Sequence, residues 1–347
     1  MVNVRRFLNI KTLLFLGLLL IIFLLVVLAR QLRPKPEDTP RFGAIETPKI
    51  QPVDQIKQPT SQTTNFPEGP LPKEARVYRQ NPYALSPDQM NAIANNLGFS
   101  QGTLQGKLFF SQDQETKRYL GIIPQTGNIF VSQPLPDYLK TFNDEQLKDY
   151  AITLAKPTLL EERIWESPIL TSSYFKGKGA HDAAPALPED ADFAEVNIFP
   201  VLDGTRLIGR NLKPLGDVGL VTVQYFKKDQ EIVALRSSVI AVNFTEVGTY
   251  PLNPLESVTQ ELVQNQAIVT NVVPEGRTVK DIQYGEILLP TTAEYTDIEL
   301  VYYYDPNPDA VMQPMYLVSG KAVLEDGTPA TIKAILPAID PQYLQSP

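Results

Sequence analysis

Residues 13–29, "LLFLGLLLIIFLLVVLA", run for seventeen positions without a polar side chain. No other stretch restricts the chain so strongly. At about 1.5 Å of rise per residue a helix of this length, with Ile10 and Thr12, spans a bilayer core of about 30 Å. A core helix of a soluble domain carries a polar face, and this run has none. Arg5 and Arg6 precede it as in a signal peptide, but no small-x-small cleavage site follows "VVLARQ". The expectation is an uncleaved signal anchor over 13–30, with Leu13, Leu20 and Ala29 among its bilayer-facing residues, after a short cytoplasmic segment at 1–12. The remainder is expected outside the plasma membrane as a single-pass protein, because a long C-terminal domain translocates largely regardless of flanking charge.

Charge narrows the partners. The chain carries a formal net charge of −8, and residues 1–35 hold six basic side chains and no acidic one, which leaves residues 36–347 at −14. Binding nucleic acid needs a basic surface, so that class is excluded. Cysteine is absent and histidine occurs once, at His181. Disulfides, zinc–thiolate sites and multi-histidine metal sites are thereby excluded, and no cofactor is expected.

Residues 31–80 contain nine prolines and few aliphatic side chains. Such a segment buries too little apolar surface to offset its chain entropy, so the composition predicts a disordered stalk. Folded sequence is expected from Asn81. Helix starts are signalled three times: Ser86 with Gln89, Asn143 with Gln146, and Asn253 with Glu256, each ahead of an apolar stripe at helical spacing, the third being Leu255, Val258 and Leu262. Strand-like runs follow the first ("LQGKLFF", "RYLGII", "NIFVS") and the third. Tight turns such as Asp203–Gly204 mark antiparallel sheet between them. The pattern predicts an α+β fold of two related modules, each a helix packed on a curved antiparallel sheet. Their expected bounds are 81–250, with an insertion at 165–192, and 251–340.

Chemistry-bearing residues are few. In "IELVYYYDPNPDA" alternation sends Ile298, Leu300, Tyr302 and Tyr304 to one apolar face and turns Tyr303 outward. Asp305, Asn307 and Asp309 imitate the start of a calcium loop. The sixth position is Ala310 instead of glycine and the twelfth is Tyr316 instead of glutamate, so the loop is a turn. His181, Asp182, Ser172 and Ser173 suggest a serine hydrolase, yet no G-x-S-x-G elbow is present. Glu161, Glu162, Glu189, Asp190, Asp192 and Glu195 read as solvated carboxylates rather than an acid/base pair. "NFT" at 243–245 is a glycosylation sequon in an expected strand, relevant only in a eukaryotic secretory pathway.

"SPDQMNAIANNLGF" followed by "YLGIIPQTGNIFV" resembles the PepSY-type module of peptidase propeptides and envelope regulators. "NIFPVLDGTRLIG", "VTVQYFKKDQEIVAL", "YPLNPLESVTQEL", "IELVYYYD", "MQPMYLVSG" and "LEDGTPATIKAILPAI" resemble the ectodomain of YycI-type two-component regulatory proteins. The resemblance implies one N-terminal membrane helix, an extracytoplasmic pair of modules, and contact with a membrane sensor kinase without enzymatic activity. The expected function is therefore a non-enzymatic binding or regulatory protein for a protein or peptide partner, bacterial and envelope-associated. Tyr303, Tyr316 and His181 are its candidate contacts. Two alternatives stand beside it: a binder of a small ligand or envelope polymer through Tyr303 and Tyr316, and, remotely, a hydrolase.

Overall fold

The computed structural model describes residues 44–48, 56–67, 69, 71–158, 165–177, 183–209, 219–227, 231–237, 242–275, 287–304 and 311–345. The chain divides into two units, Met1–Arg41 and Phe42–Pro347, and every described residue belongs to the second. The expected anchor, with Leu13, Leu20 and Ala29, lies outside the described residues. Among those that are described, no helix is long and apolar enough to cross a membrane.

The chain opens with β1 (Ile45–Glu46), β2 (Ser61–Thr64) and β3 (Glu74–Pro82), then helix α1 (Pro87–Asn96). Four strands follow: β4 (Thr103–Gln105), β5 (Leu108–Asp113), β6 (Arg118–Ile123) and β7 (Asn128–Pro134). After α2 (Asp144–Ala155) come β8 (Ile169–Lys176), β9 (Ala184–Pro185), β10 (Phe193–Phe199), β11 (Val201–Leu202), β12 (Thr205–Gly209), β13 (Val221–Phe226), β14 (Ile232–Ser237) and β15 (Val242–Pro251). The last part holds α3 (Leu255–Val263), β16 (Ile268–Pro274), β17 (Pro290–Tyr304), β18 (Val311–Leu324), β19 (Pro329–Pro337) and β20 (Leu344–Gln345).

Two nine-stranded sheets organise these elements. The first runs β4-β5-β6-β7-β14-β13-β10-β8-β9, antiparallel throughout. One of its faces carries Leu120, Ile122, Ile129, Val131, Val196, Ile198, Val221, Val223, Val233 and Leu235 at alternate positions. Helices α1 and α2 cover that face with Met90, Ile93, Ala94, Leu147, Ala151 and Leu154. Each fully buried aliphatic side chain of this kind contributes about 1.5–3 kcal/mol. The second sheet runs β11-β12-β17-β18-β19-β16, with β2 and β3 added and β15 paired to β3. Helix α3 packs Val258 and Leu262 on it beside Tyr250, Tyr295, Tyr316 and Ile332.

The helix starts follow the sequence signals in two of three cases. Ser86 caps α1 in a full capping box with Gln89, and Asn143 caps α2 through the Gln146 amide. At α3 the N-cap is Pro254, whose ring offers no hydrogen-bond acceptor, and Asn253 stands one residue outside. The expected α+β fold is overturned. Strands and bridges hold 54% of the described residues and helical turns 16%, so the protein is mostly β. Among the described residues the three α-helices, of 9 to 12 residues, are short covers, and two of them sit on the same sheet.

Three segments account for the difference. The expected stalk supplies β1, β2 and β3: β3 pairs with β15 and β18, β2 runs parallel to β17, and β1 runs parallel to β20. The expected insertion supplies β8, which pairs along its length with β10 inside the first sheet. The expected boundary at residue 250 does not separate the sheets either, because β11, β12 and β15 belong to the second one. Polar sequence can pair because backbone hydrogen bonds do the pairing; β1 and β2 each have one partner strand, as edge strands do, whereas β3 and β8 have two.

Candidate binding face

The first sheet has one face under helices and one without them. In register across β5, β6, β7, β14, β13 and β10 the face without helices carries Phe110, Gly121, Phe130, Arg236, Thr222 and Asn197; it is open at Phe130 and Arg236, whereas Thr222 and Asn197 are buried. The next row reads Tyr119, Ser132, Ala234, Gln224 and Glu195. Tyr119 and Phe130 are each 42% exposed and Leu108 is 36% exposed, high values for large apolar side chains on adjacent strands. A side chain at Gly121 would meet Leu108 Cδ1 at 3.4 Å, so glycine leaves a notch between Phe110 and Phe130 with Leu108 at its rim.

Hydrogen bonds fix the polar end of this face. Asn197 Oδ1 accepts from the Gly219 amide at 3.1 Å and from Thr222 Oγ1 at 3.0 Å. Its Nδ2 donates to Glu195 Oε1 at 3.0 Å, and Gln224 Nε2 donates to Glu195 Oε2 at 2.9 Å. Phe175, Phe193 and Phe226 then stack across β8, β10 and β13 with centroids 4.9 and 5.6 Å apart. In the two rows, Glu195 is held by amides and Arg236 is the one cation. Phe193, Thr222 and Asn197 are buried, so the accessible part is the end with Leu108, Phe110, Tyr119, Phe130 and Arg236, an aromatic patch with one cation that has the composition of an interface core.

An antiparallel sheet with one solvated face ordinarily alternates apolar with polar residues. "KLFF", "RYLGII" and "NIFV" do not alternate, because Leu108, Phe110, Tyr119 and Phe130 occupy positions where polar residues are the rule. That departure is the sequence signal for this face, and motif searching passes over it.

The tyrosines expected at the site lie elsewhere. Tyr303 is 5% exposed, packed with Phe199, Ile208, Val301, Met315, Leu317 and Ile335, so its outward position is corrected. Alternation places Tyr303 opposite to Tyr302 and Tyr304, as expected, but β17 is covered on both faces here. Tyr302 and Tyr304 lie in the core with Tyr78, Leu207 and Met312. Tyr316 is fully buried, its hydroxyl donates to the Asn253 carbonyl at 2.8 Å, and burial pushes its pKa up to about 12. Neither ring is open to a sugar or lipid. His181, Asp305, Asn307, Asp309, Ala310, Glu161 and Glu162 lie outside the described residues.

Ser172, from the hydrolase reading, sits beside a polar cluster at the start of α2. Asp144 accepts from Lys148 Nζ at 2.7 Å and from the Tyr174 hydroxyl at 2.8 Å. Burial opposes ionisation of Asp144, but the bonds from Lys148 and Tyr174, with Ser172 alongside, outweigh it and hold its pKa down to about 2. Burial, and then Asp144 itself, push Tyr174 up to about 12. These bonds tie α2 to β8. Along α3 lies a shallow depression of about 490 Å³ lined by Asn253, Ser257, Gln260, Glu261, Gln264 and Asp340. Its carboxylates are both engaged. Glu261 accepts from Asn253 Nδ2 at 2.7 Å and its pKa is raised by burial, while Asp340 accepts from the Gln342 amide at 3.1 Å. Among the described residues no three His, Cys, Asp or Glu side chains converge on a point.

Comparison with known proteins identifies no family: no protein-family profile matches the chain, and no curated protein does. A solved structure of an uncharacterized protein from Eubacterium rectale aligns with 85% of this chain and 92% of its own, at 13% identity and a TM-score of 0.43. A likeness of that strength carries no argument about what the chain does.

Proposed function

We propose that this chain is a membrane-anchored, extracytoplasmic, non-enzymatic binding and regulatory protein that docks a protein partner on the uncovered face of its first sheet. The partner class is an envelope protein such as a sensor kinase or a cell-envelope enzyme. The observation that carries the reading is the row Phe110, Gly121, Phe130 and Arg236 beside Tyr119, with Tyr119 and Phe130 each 42% exposed. Large rings lose few rotatable bonds on burial, and an arginine amid them completes the residue mix of binding hot spots. The resemblance to YycI-type ectodomains, and the apolar run 13–29 that would hold the chain to the bilayer, agree with this reading. The polymer-binding alternative loses the two tyrosines it relied on, since both are buried.

The test places a photo-crosslinking amino acid at Phe130 in the native host. A discrete adduct with one envelope protein, lost in Tyr119→Asp, is the expected result. Adduct patterns that ignore Tyr119→Asp would overturn it. Retention on isolated cell-wall polymer that vanishes in Phe130→Asp would put the polymer reading in its place.

A further inference from the structure

The open end of the first sheet carries one charge, and that charge has no partner. Strands β5, β6, β7 and β14 contain a single carboxylate, Asp113, and alternation puts it on the helix-covered side with Phe109, where it accepts from Thr116. Arg236 stands on the open side and is exposed. Among the described residues no carboxylate, hydrogen-bond acceptor or ring engages it. Glu231, just ahead of its strand, is held by Lys140 at 3.0 Å. Gly121 lies in the same row two strands away, with Leu108 at the rim of its notch and Phe130 in between. Two strand spacings put notch and cation about 10 Å apart. The next residue of the row, Thr222, is buried, so the open patch ends at Arg236.

We infer that the partner docks here through an amphipathic helix whose apolar stripe enters the notch at Gly121 and whose carboxylate pairs with Arg236. The inference rests on the aromatic-face reading and names the chemistry of its ligand. A guest lying on the face of a sheet finds no backbone groups to pair with. It has to satisfy its own N–H and C=O groups, and a helix does so within one segment. The opposite face of the same sheet is covered in that way by α1 and α2. On a helix, residues i and i+7 share a face and stand about 10.5 Å apart along the axis, which matches the span from notch to cation. Residue i+4 then falls over Phe130. An arginine beside an aromatic ring and without a counter-charge favours a carboxylate brought to it in apolar surroundings and repels a lysine. The overall negative charge of the chain opposes an acidic partner at long range, so this pair supplies register and selectivity rather than speed of encounter.

The test uses the full chain in detergent micelles and a capped alanine-based helical peptide with leucine at i and i+4 and glutamate at i+7, followed by fluorescence anisotropy. A twin peptide has lysine at i+7. Saturable binding of the glutamate peptide is expected, several-fold weaker on Arg236→Glu, where the lysine twin binds instead. Non-specific attraction to a chain of net charge −8 favours the lysine twin, so a preference for glutamate on the wild-type chain reports the site. Gly121→Val fills the notch and is expected to weaken the glutamate peptide several-fold without lowering the melting temperature, since glycine weakens a strand. Absence of saturable binding, a wild-type preference for the lysine twin, or indifference to Arg236→Glu overturns the helix. A Phe130 cross-link that survives Arg236→Glu but not Tyr119→Asp overturns the helix and leaves the aromatic face standing. Adducts indifferent to Tyr119→Asp remove the face itself.

Discussion

The hydroxyl of Tyr302 donates to the backbone carbonyl of Arg76 at 2.9 Å, across 226 positions of sequence. Around it, Tyr78 packs edge-on against Tyr302 at 5.7 Å and gives its own hydroxyl to Asp203, while Arg76 reaches the same carboxylate at 3.2 Å. A segment whose composition reads as stalk is thereby bound into the core. Tyr302→Phe is expected to lower unfolding stability by about 1 kcal/mol, the scale of one net hydrogen bond. Deleting residues 42–80 is expected to abolish the cooperative transition of the second sheet. Denaturant unfolding followed by tyrosine fluorescence checks both, and a deletion variant that unfolds like the full chain would refute the structural role of β2 and β3.

Asn253 separates two accounts of the start of α3. Were it a cap, serine would replace it at little cost. In the structure its side chain instead reaches Glu261, and its carbonyl takes the Tyr316 hydroxyl. Serine is too short for Glu261, so Asn253→Ser and Asn253→Ala are expected to cost about the same, roughly 1–3 kcal/mol. Thermal melts of the two variants decide it.

Gly320 faces the bulge in β17. A methyl group there would lie 1.9 Å from the Glu294 carbonyl oxygen and 2.7 Å from Tyr295 Cα. Both obstacles are backbone and cannot swing aside. Gly320→Ala is expected to destabilise by about 3 kcal/mol, at the upper end of overpacking costs. A shifted midpoint with an unchanged slope in urea is the measurement.

Stability is expected to fall at both ends of the pH scale. Burial raises the pKa of Tyr174 and Tyr316 to about 12, and it also raises Tyr225, Tyr295 and Tyr302. Their folded values exceed the unfolded value of about 10, so the native state binds more protons in that window. The stabilisation is complete below about pH 10 and is lost as pH rises through the folded values. Phenolate absorbance should therefore appear together with unfolding.

Asp144 has the opposite sign. Its folded pKa of about 2 lies below the ordinary carboxylate value, so its contribution is present above about pH 4 and is lost as pH falls toward 2. The carboxylate is half exposed, which keeps the effect small. Asp144→Asn should flatten the acid limb of the stability curve, and an unchanged limb would refute the assignment.

Much of the local structure is legible from short-range chemistry. Ser86 and Gln89 announce α1, and Asn143 announces α2. Asp203 and Gly204 adopt positive φ values of 51° and 76° in the β11–β12 hairpin, as an aspartate–glycine pair should. At the candidate face the signal is present but takes the form of a missing alternation: Phe110, Tyr119 and Phe130 stand where polar residues were due.

The sequence by itself determined the Asp203–Gly204 turn, two helix caps, and which residues of β17 share a face, because each depends on neighbours a few positions away. Tertiary structure alone decided that Tyr303 is covered and that β2 and β3 join a sheet. Periodicity tells which side chains point together, but not whether another layer lies above them. Strands such as β2 and β3 are held by backbone hydrogen bonds, which every residue but proline can both donate and accept and which therefore leave little trace in composition.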